Sequence, residues 1–135
     1  MNTQITSDDH WKKRLDAKTY HVMRERGTDI PFSGKYVTHH ENGTYVCKAC
    51  DQELFSSETK FDSNSGWPSF TEPKNKQFIV LKPDESHGMT RTEVLCSHCG
   101  SHLGHVFNDG PAKSSGQRFC INSTSLNFKL KEDKA

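Results

Sequence analysis

Long apolar runs are missing from this 135-residue chain, and so is an excess of either charge. No stretch approaches the ~18–20 consecutive apolar residues that a membrane span requires, which excludes a membrane role. The opening residues, Met1-Asn2-Thr3-Gln4-Ile5-Thr6-Ser7-Asp8-Asp9, lack the charged-then-apolar plan of a secretory signal. The expectation is a soluble, cytoplasmic protein. With 18 basic against 17 acidic side chains the formal charge is +1, whereas nucleic-acid-binding domains carry a clear excess of Lys and Arg, so nucleic acid is not expected as a partner. Apolar side chains are also scarce: they make up 31%, and nine glycines raise this only to about 38%, below the roughly 45–50% usual for globular domains. A single domain of this size with so thin a core leans on something besides hydrophobic burial. Five cysteines suggest what that is. Their odd number excludes a fully paired disulfide framework within one chain, and in a reducing compartment cysteines bind metal or do chemistry.

Residues 1–135 are read as one domain, with an ordered core over about 8–130. From Ser7 to Gly27 apolar residues fall at helical spacing, Trp11 with Leu15 and Thr19 with Met23, which predicts one or two short amphipathic helices ended by Gly27. After the turn-forming Pro31-Phe32-Ser33-Gly34 the pattern changes to short strands. Tyr36-Val37-Thr38 and Thr44-Tyr45-Val46 predict a hairpin with Asn42-Gly43 at its tip. Further strands are expected at 77–82, 89–95, 104–107, 117–122 and 125–130. In the last, Leu126, Phe128 and Leu130 alternate with polar residues, which predicts one buried face. The body is therefore mainly antiparallel β.

Cys47-Lys48-Ala49-Cys50 and Cys96-Ser97-His98-Cys99 are two Cys-x-x-Cys pairs, each following a strand-like segment. Together they supply four thiolates, and a structural zinc takes four tetrahedral ligands. The 45 residues between the pairs exceed the ~15–20 of common zinc ribbons, so the intervening chain must hold part of the fold. A thioredoxin-type redox pair would need one Cys-x-x-Cys in a βαβ setting, which the strand pattern does not offer. Iron also accepts four thiolates and remains the alternative metal. Either way a closed tetrathiolate has no open position, so the site is read as structural.

The fifth cysteine, Cys120, lies in Gln117-Arg118-Phe119-Cys120-Ile121-Asn122. On a strand, Arg118, Cys120 and Asn122 share one face while Phe119 and Ile121 take the other. A guanidinium beside the sulfur favours a reactive thiolate over an inert core thiol. His102 and His105 follow closely on the second cysteine pair. With the metal saturated by thiolates they read as proton donors rather than ligands, although a second metal on them is an alternative. Asp109-Gly110-Pro111 has the composition of a turn. Trp67, in the small-residue loop Asp62-Ser63-Asn64-Ser65-Gly66-Trp67-Pro68-Ser69-Phe70, either packs as a lid or presents a binding surface.

These motifs, in order, resemble the B-type methionine sulfoxide reductases, which are specific for the R epimer. The likeness is carried by the Cys-x-x-Cys pairs, Gly66-Trp67-Pro68-Ser69-Phe70, Ser86-His87-Gly88-Met89, Arg91-Thr92-Glu93-Val94, His102-Leu103-Gly104-His105-Val106-Phe107 and Arg118-Phe119-Cys120-Ile121-Asn122-Ser123. It runs from about Trp11 to Phe128, taking in Arg24-Glu25-Arg26-Gly27-Thr28 and Pro31 to Tyr36. The resemblance implies a mainly β fold of two antiparallel sheets, barrel-like, with short N-terminal helices and a structural zinc on Cys47, Cys50, Cys96 and Cys99. It implies Cys120 as nucleophile, Trp67 against the substrate methyl group, His102, His105 and Asn122 around the sulfoxide, and Arg118 and Asp109 in support. No organic cofactor is implied. The partners would be methionine-R-sulfoxide, free or in oxidised proteins, and thioredoxin or a similar thiol reductant, acting on a monomer. One departure stands out. Many members carry a resolving cysteine just before Gly-Trp-Pro, where this chain has Asn64-Ser65. With four cysteines on metal, a one-cysteine cycle is expected, in which an external thiol reduces the Cys120 sulfenic acid. A Cys-to-Ser replacement at position 65 would leave the same letters. The competing function class is a zinc-binding interaction module in which Cys120 is inert.

Overall fold

A computed structural model of the chain describes residues 15–25, 27–37, 39, 41–61, 63, 65–85, 90–110 and 116–130. The expectations placed on Trp11, Arg26, Asn64, Ser86 to Met89 and Pro111 lie outside them. Helix α1 spans Ala17–Arg24 and is capped by Asp16, whose side chain accepts from the Thr19 amide at 2.8 Å. It buries Thr19, Tyr20, Val22 and Met23. Gly27 does close it: the Gly27 amide donates to the His21 carbonyl at 3.0 Å, and a Cβ at this position would lie 2.4 Å from the His21 ring. No helix among the described residues is long and apolar enough to cross a membrane.

Nine strands follow among the described residues: β1 (Gly43–Cys47), β2 (Glu53–Ser56), β3 (Lys60–Phe61), β4 (Ser69–Phe70), β5 (Ile79–Asp84), β6 (Arg91–Cys96), β7 (His102–Phe107), β8 (Arg118–Ile121) and β9 (Leu126–Leu130). Every pairing is antiparallel, in two sheets ordered β2-β1-β9 and β3-β4-β8-β7-β6-β5. The expected fold class is therefore present, with one refinement. Neither sheet closes on itself among the described residues, so the pair is open rather than barrel-like.

Among the described residues, the expected hairpin through Asn42-Gly43 does not form. Tyr36 and Val37 lie in a turn, and both edges of β1 are occupied, by β2 and by β9. Tyr36 serves instead as a core plug, its ring edge-on to Tyr45 at 5.4 Å and its amide donating to Ser123 Oγ at 3.1 Å. The strands β2, β3 and β4 were not expected. Two of them are only two residues long, too short to show periodicity. In β9 the alternation holds for Leu126 and Phe128 but fails at Leu130, which is 64% exposed because its partner across the ladder is Gly43, with no side chain to cover it.

The core lies where the sheets face each other. Phe55 of the small sheet stacks on Phe70 of the large one at 4.5 Å and lies 5.8 Å from Phe119, while Tyr45 meets Phe70 edge-on at 5.2 Å. Such pairs add to burial by about 0.5–1.5 kcal/mol each.

Candidate active site

The four paired cysteines converge as their spacing predicts. Cys47 ends β1 in the small sheet, Cys96 ends β6 in the large one, and each leads into the turn carrying its partner. All four sulfurs lie within 4.8 Å of one another, with Cys47 Sγ 3.7 Å from Cys99 Sγ and Cys50 Sγ 3.6 Å from Cys96 Sγ. A tetrahedron with metal–sulfur bonds of about 2.3 Å has sulfur–sulfur edges of about 3.8 Å, so the residues present fit a structural metal. Hydrogen bonding among the four sulfurs holds the Cys50 and Cys99 thiols below their ordinary range, through Cys47 first, and Cys47 and Cys96 above theirs. Arg24, at the end of α1, secures the second turn by donating to the Cys99 carbonyl and to Ser101 Oγ, both at 3.1 Å.

Cys120 sits in β8, where Phe119 and Ile121 join the packed hydrophobic cluster while Cys120 lies outside it and lines a cavity. Across the ladder it faces Ser69 of β4 and His105 of β7. Arg118 Nη1 donates to its sulfur at 2.6 Å, and the Ser65 and Ser69 hydroxyls each lie 3.6 Å away. The sulfur is buried, but its surroundings are polar. Arg118 is held in turn by Asp109, with Nε and Nη2 donating to the two carboxylate oxygens at 2.8 and 3.1 Å. That bond holds the exposed Asp109 carboxyl below its ordinary range and the Arg118 guanidinium above its own. The guanidinium also lies over the Phe107 ring at 4.6 Å.

A cavity of about 80 Å³ opens onto Cys120, walled by Trp67, Phe107, His105, Asn122, Arg91, Thr28 and Gly104. It has room for two or three water-sized groups at about 30 Å³ each. Trp67 is presented to this cavity rather than folded over the sheet. Its indole N–H donates to the Asp29 carbonyl at 3.0 Å, and its loop turns at Gly66, whose φ of +93° favours glycine and whose Cβ would meet Pro31 at 2.7 Å.

Each histidine is backed by a buried acid. His105 Nε2 donates to Asp84 at 2.7 Å, and Arg91 reaches the same oxygen at 3.4 Å. His102 Nδ1 donates to Glu93 at 2.7 Å. Residues three apart on a regular strand face opposite sides, but the ladder between β6 and β7 shifts register at Val94/Leu95, placing one extra residue in β7. The two imidazoles therefore meet, 5.4 Å apart and edge-on. Only His105 walls the cavity; His102, 2% exposed, stands behind it. Asn122 reaches the cavity with its amide already committed, accepting from the Asp29 amide at 2.9 Å and donating to the Leu103 carbonyl at 3.1 Å. Asp109 and Arg118 do not wall this cavity.

Comparison with known proteins bears on this arrangement. Residues 15–130 match the SelR domain. The chain is 56% identical over 127 residues to "Peptide methionine sulfoxide reductase MsrB" of Methanosarcina barkeri, covering 94% of this chain and 89% of that one. It is 52% identical over 129 residues to the protein of the same name from Leptospira interrogans, covering 95% and 98%. With "Methionine-R-sulfoxide reductase B2, mitochondrial" of Danio rerio it shares 50% identity over 137 residues, covering 96% and 76%. The chain belongs to the B-type methionine sulfoxide reductases. It is thus an oxidoreductase of methionine sulfoxide, and the interaction-module alternative falls.

Within this reductase, sequence reasoning missed Asp84 and Glu93, which orient the histidines, and Phe107, Arg91 and Thr28 in the cavity wall. A signal was present for two of them. Asp84 and Glu93 are acids inside strands, and both are buried, 3% and 2% exposed, where a carboxylate needs a partner.

Proposed function

We propose that this reductase acts on the R epimer of methionine sulfoxide through Cys120, with a structural zinc on Cys47, Cys50, Cys96 and Cys99. The observation that carries the proposal is a cysteine sulfur at the wall of a small aromatic cavity with a guanidinium 2.6 Å away. Bound zinc supplies a crosslink between the two sheets and takes no part in the reaction. Trp67 and Phe107 offer the apolar wall that a methyl group needs. Arg118 donates to the sulfur of Cys120, which attacks the sulfoxide sulfur.

The sulfoxide oxygen leaves only if protonated. His105, held by Asp84 through one ring nitrogen, delivers the proton to that oxygen from the other, with His102 behind it as the second candidate. The attack forms a bond between Cys120 and the substrate sulfur; the protonated oxygen then shifts from the substrate sulfur to Cys120 as the substrate S–O bond and the new S–S bond break, methionine departs with the electron pair, and Cys120 is left as sulfenic acid. Asn122, with its amide committed, holds the 27–30 loop that carries Thr28 and receives the Trp67 indole. Ser65 and Ser69, the side chains beside the sulfur, cannot form a disulfide. An external thiol, thioredoxin or a similar reductant, therefore closes a one-cysteine cycle in a cytoplasmic monomer acting on free or protein-bound methionine sulfoxide.

The test is turnover of resolved R and S sulfoxides with dithiothreitol, comparing the wild type with Cys120→Ser. R-selective reduction that disappears in the variant supports the proposal; undiminished activity overturns it. Non-reducing peptide mapping after one turnover should find no intramolecular Cys120 disulfide, and elemental analysis should find one zinc per chain. Two metals per chain would favour the alternative of a second ion on His102 and His105.

A further inference from the structure

A second cavity, about 460 Å³, is lined by Phe61, Ser63, Ser65, Asp109, Gly110 and Arg118. It shares no residue with the first. Two of its lining residues nonetheless touch the Cys120 sulfur, Arg118 at 2.6 Å and Ser65 at 3.6 Å. The sulfur thus lines the narrow aromatic cavity and stands one side chain behind the wide polar one, covered there by Ser65 and Arg118. The sulfoxide chemistry absorbs only the first.

Resting on the Cys120 reading above, we propose that the reducing thiol reaches Cys120 through this second cavity, on the Ser65 and Arg118 side, while the sulfoxide is bound on the Trp67 and His105 side. The reason lies in displacement at divalent sulfur, where the attacking and leaving atoms lie in line. The oxygen is transferred to Cys120 while still beside His105, so the new S–O bond points into the first cavity. A thiolate must then approach from the opposite end of that bond. Its attack, with one proton delivered to the departing hydroxide, forms the Cys120 mixed disulfide and water. A second thiolate takes the outer sulfur as a disulfide and returns Cys120 as thiolate; the reductant is oxidised by two electrons and Cys120 is reduced by two. Among the described residues, the acid and the base that line the cavity, Asp109 and Arg118, are paired with each other. A thiol carrying no strong charge therefore suits it, whether on a small molecule or at a protein surface.

Single-turnover kinetics separate the two sides. One equivalent of R-sulfoxide without thiol forms the sulfenic acid and one methionine per chain; dithiothreitol or reduced thioredoxin is then added, and loss of sulfenic acid is followed by mass spectrometry. Ser63→Leu and Phe61→Trp each place bulk in the second cavity at residues that do not touch the sulfur. Each should slow sulfenic acid reduction at least tenfold and leave the rate of methionine release unchanged. Trp67→Ala should slow methionine release and leave reduction by thiol unchanged. Slowing with thioredoxin alone places a protein surface in the cavity; slowing with both reductants places the small thiol there too. Sulfenic acid reduction untouched by both bulky variants, or slowed by Trp67→Ala instead, overturns the proposal while the Cys120 reading stands. Absence of a wild-type methionine burst overturns both.

Discussion

The five cysteines divide by what surrounds their sulfurs. In the cluster each sulfur faces other sulfurs, at distances that suit one metal ion, and Cys47, Cys96 and Cys99 are almost wholly buried. Cys120 is just as buried as Cys99, both at 8% exposure, yet it faces a guanidinium and two hydroxyls and lines a cavity. Under the proposed reading, burial does not separate a structural from a reactive cysteine; partner chemistry does. A sulfur among sulfurs suits a metal, whereas one beside Arg118 suits attack on a substrate.

The largest effect that can break this contrast is loss of a cluster sulfur. Cys96→Ser, or exhaustive chelation, should abolish cooperative thermal unfolding together with activity. Structural zinc contributes on the order of 10 kcal/mol in small domains, more than a thin core can replace. Cys120→Ser should be the opposite case: activity down at least ~1000-fold, with an unfolding temperature within a few degrees of wild type. If Cys120→Ser instead unfolds the protein, or Cys96→Ser leaves it folded with its metal, the two kinds of cysteine have been assigned the wrong way round.

The placement of the cysteines, four sulfurs together and the fifth beside Arg118, was legible in the sequence because it needs only spacing and a period-two pattern. Paired Cys-x-x-Cys turns announce a cluster regardless of how much chain lies between them, and Arg118, Cys120 and Asn122 share a face on any regular strand. What escaped needed pairing across the sheet. The Asp84–His105 and Glu93–His102 contacts join residues on different strands, and the second depends on a bulge that no local pattern announces. The absent hairpin has the same origin. Tyr36 has a strand-like composition, but its ring is worth more in the core against Tyr45, and β9 returns from the far end of the chain to take the edge of β1.

An intermediate effect is expected at Gly104, directly behind Cys120. A Cβ there would lie 2.0 Å from the Cys120 carbonyl oxygen and 2.9 Å from Ile121 Cα, both backbone atoms that cannot swing aside. Gly104→Ala should part β7 from β8, at about 1–3 kcal/mol of stability, and shift His105 relative to the sulfur. The cluster lies elsewhere, so the variant should keep its full metal content while losing methionine sulfoxide turnover. Equal loss of metal and activity would mean that the two sulfur regions are mechanically one.

The smallest effect sharpens the same contrast at Arg118. Asp109 is exposed, and its contribution is to hold the guanidinium in place against the Cys120 sulfur. Its folded carboxyl titrates below the ordinary value of 3.8 because Arg118 hydrogen-bonds it. The pair's stabilising contribution is therefore complete above that value and is lost only as pH falls through the lower folded one. Across neutral pH the clamp is constant, so Asp109 should leave no inflection in the activity profile there. Asp109→Asn keeps an acceptor but removes the charge. It should leave thermal stability unchanged and slow Cys120 alkylation by a few-fold at neutral pH, because a looser guanidinium donates less steadily to the sulfur. The same substitution should not alter metal retention by the cluster. An alkylation rate unchanged in Asp109→Asn, but strongly reduced in Arg118→Ala, would show that Arg118 holds its place against the sulfur without the clamp.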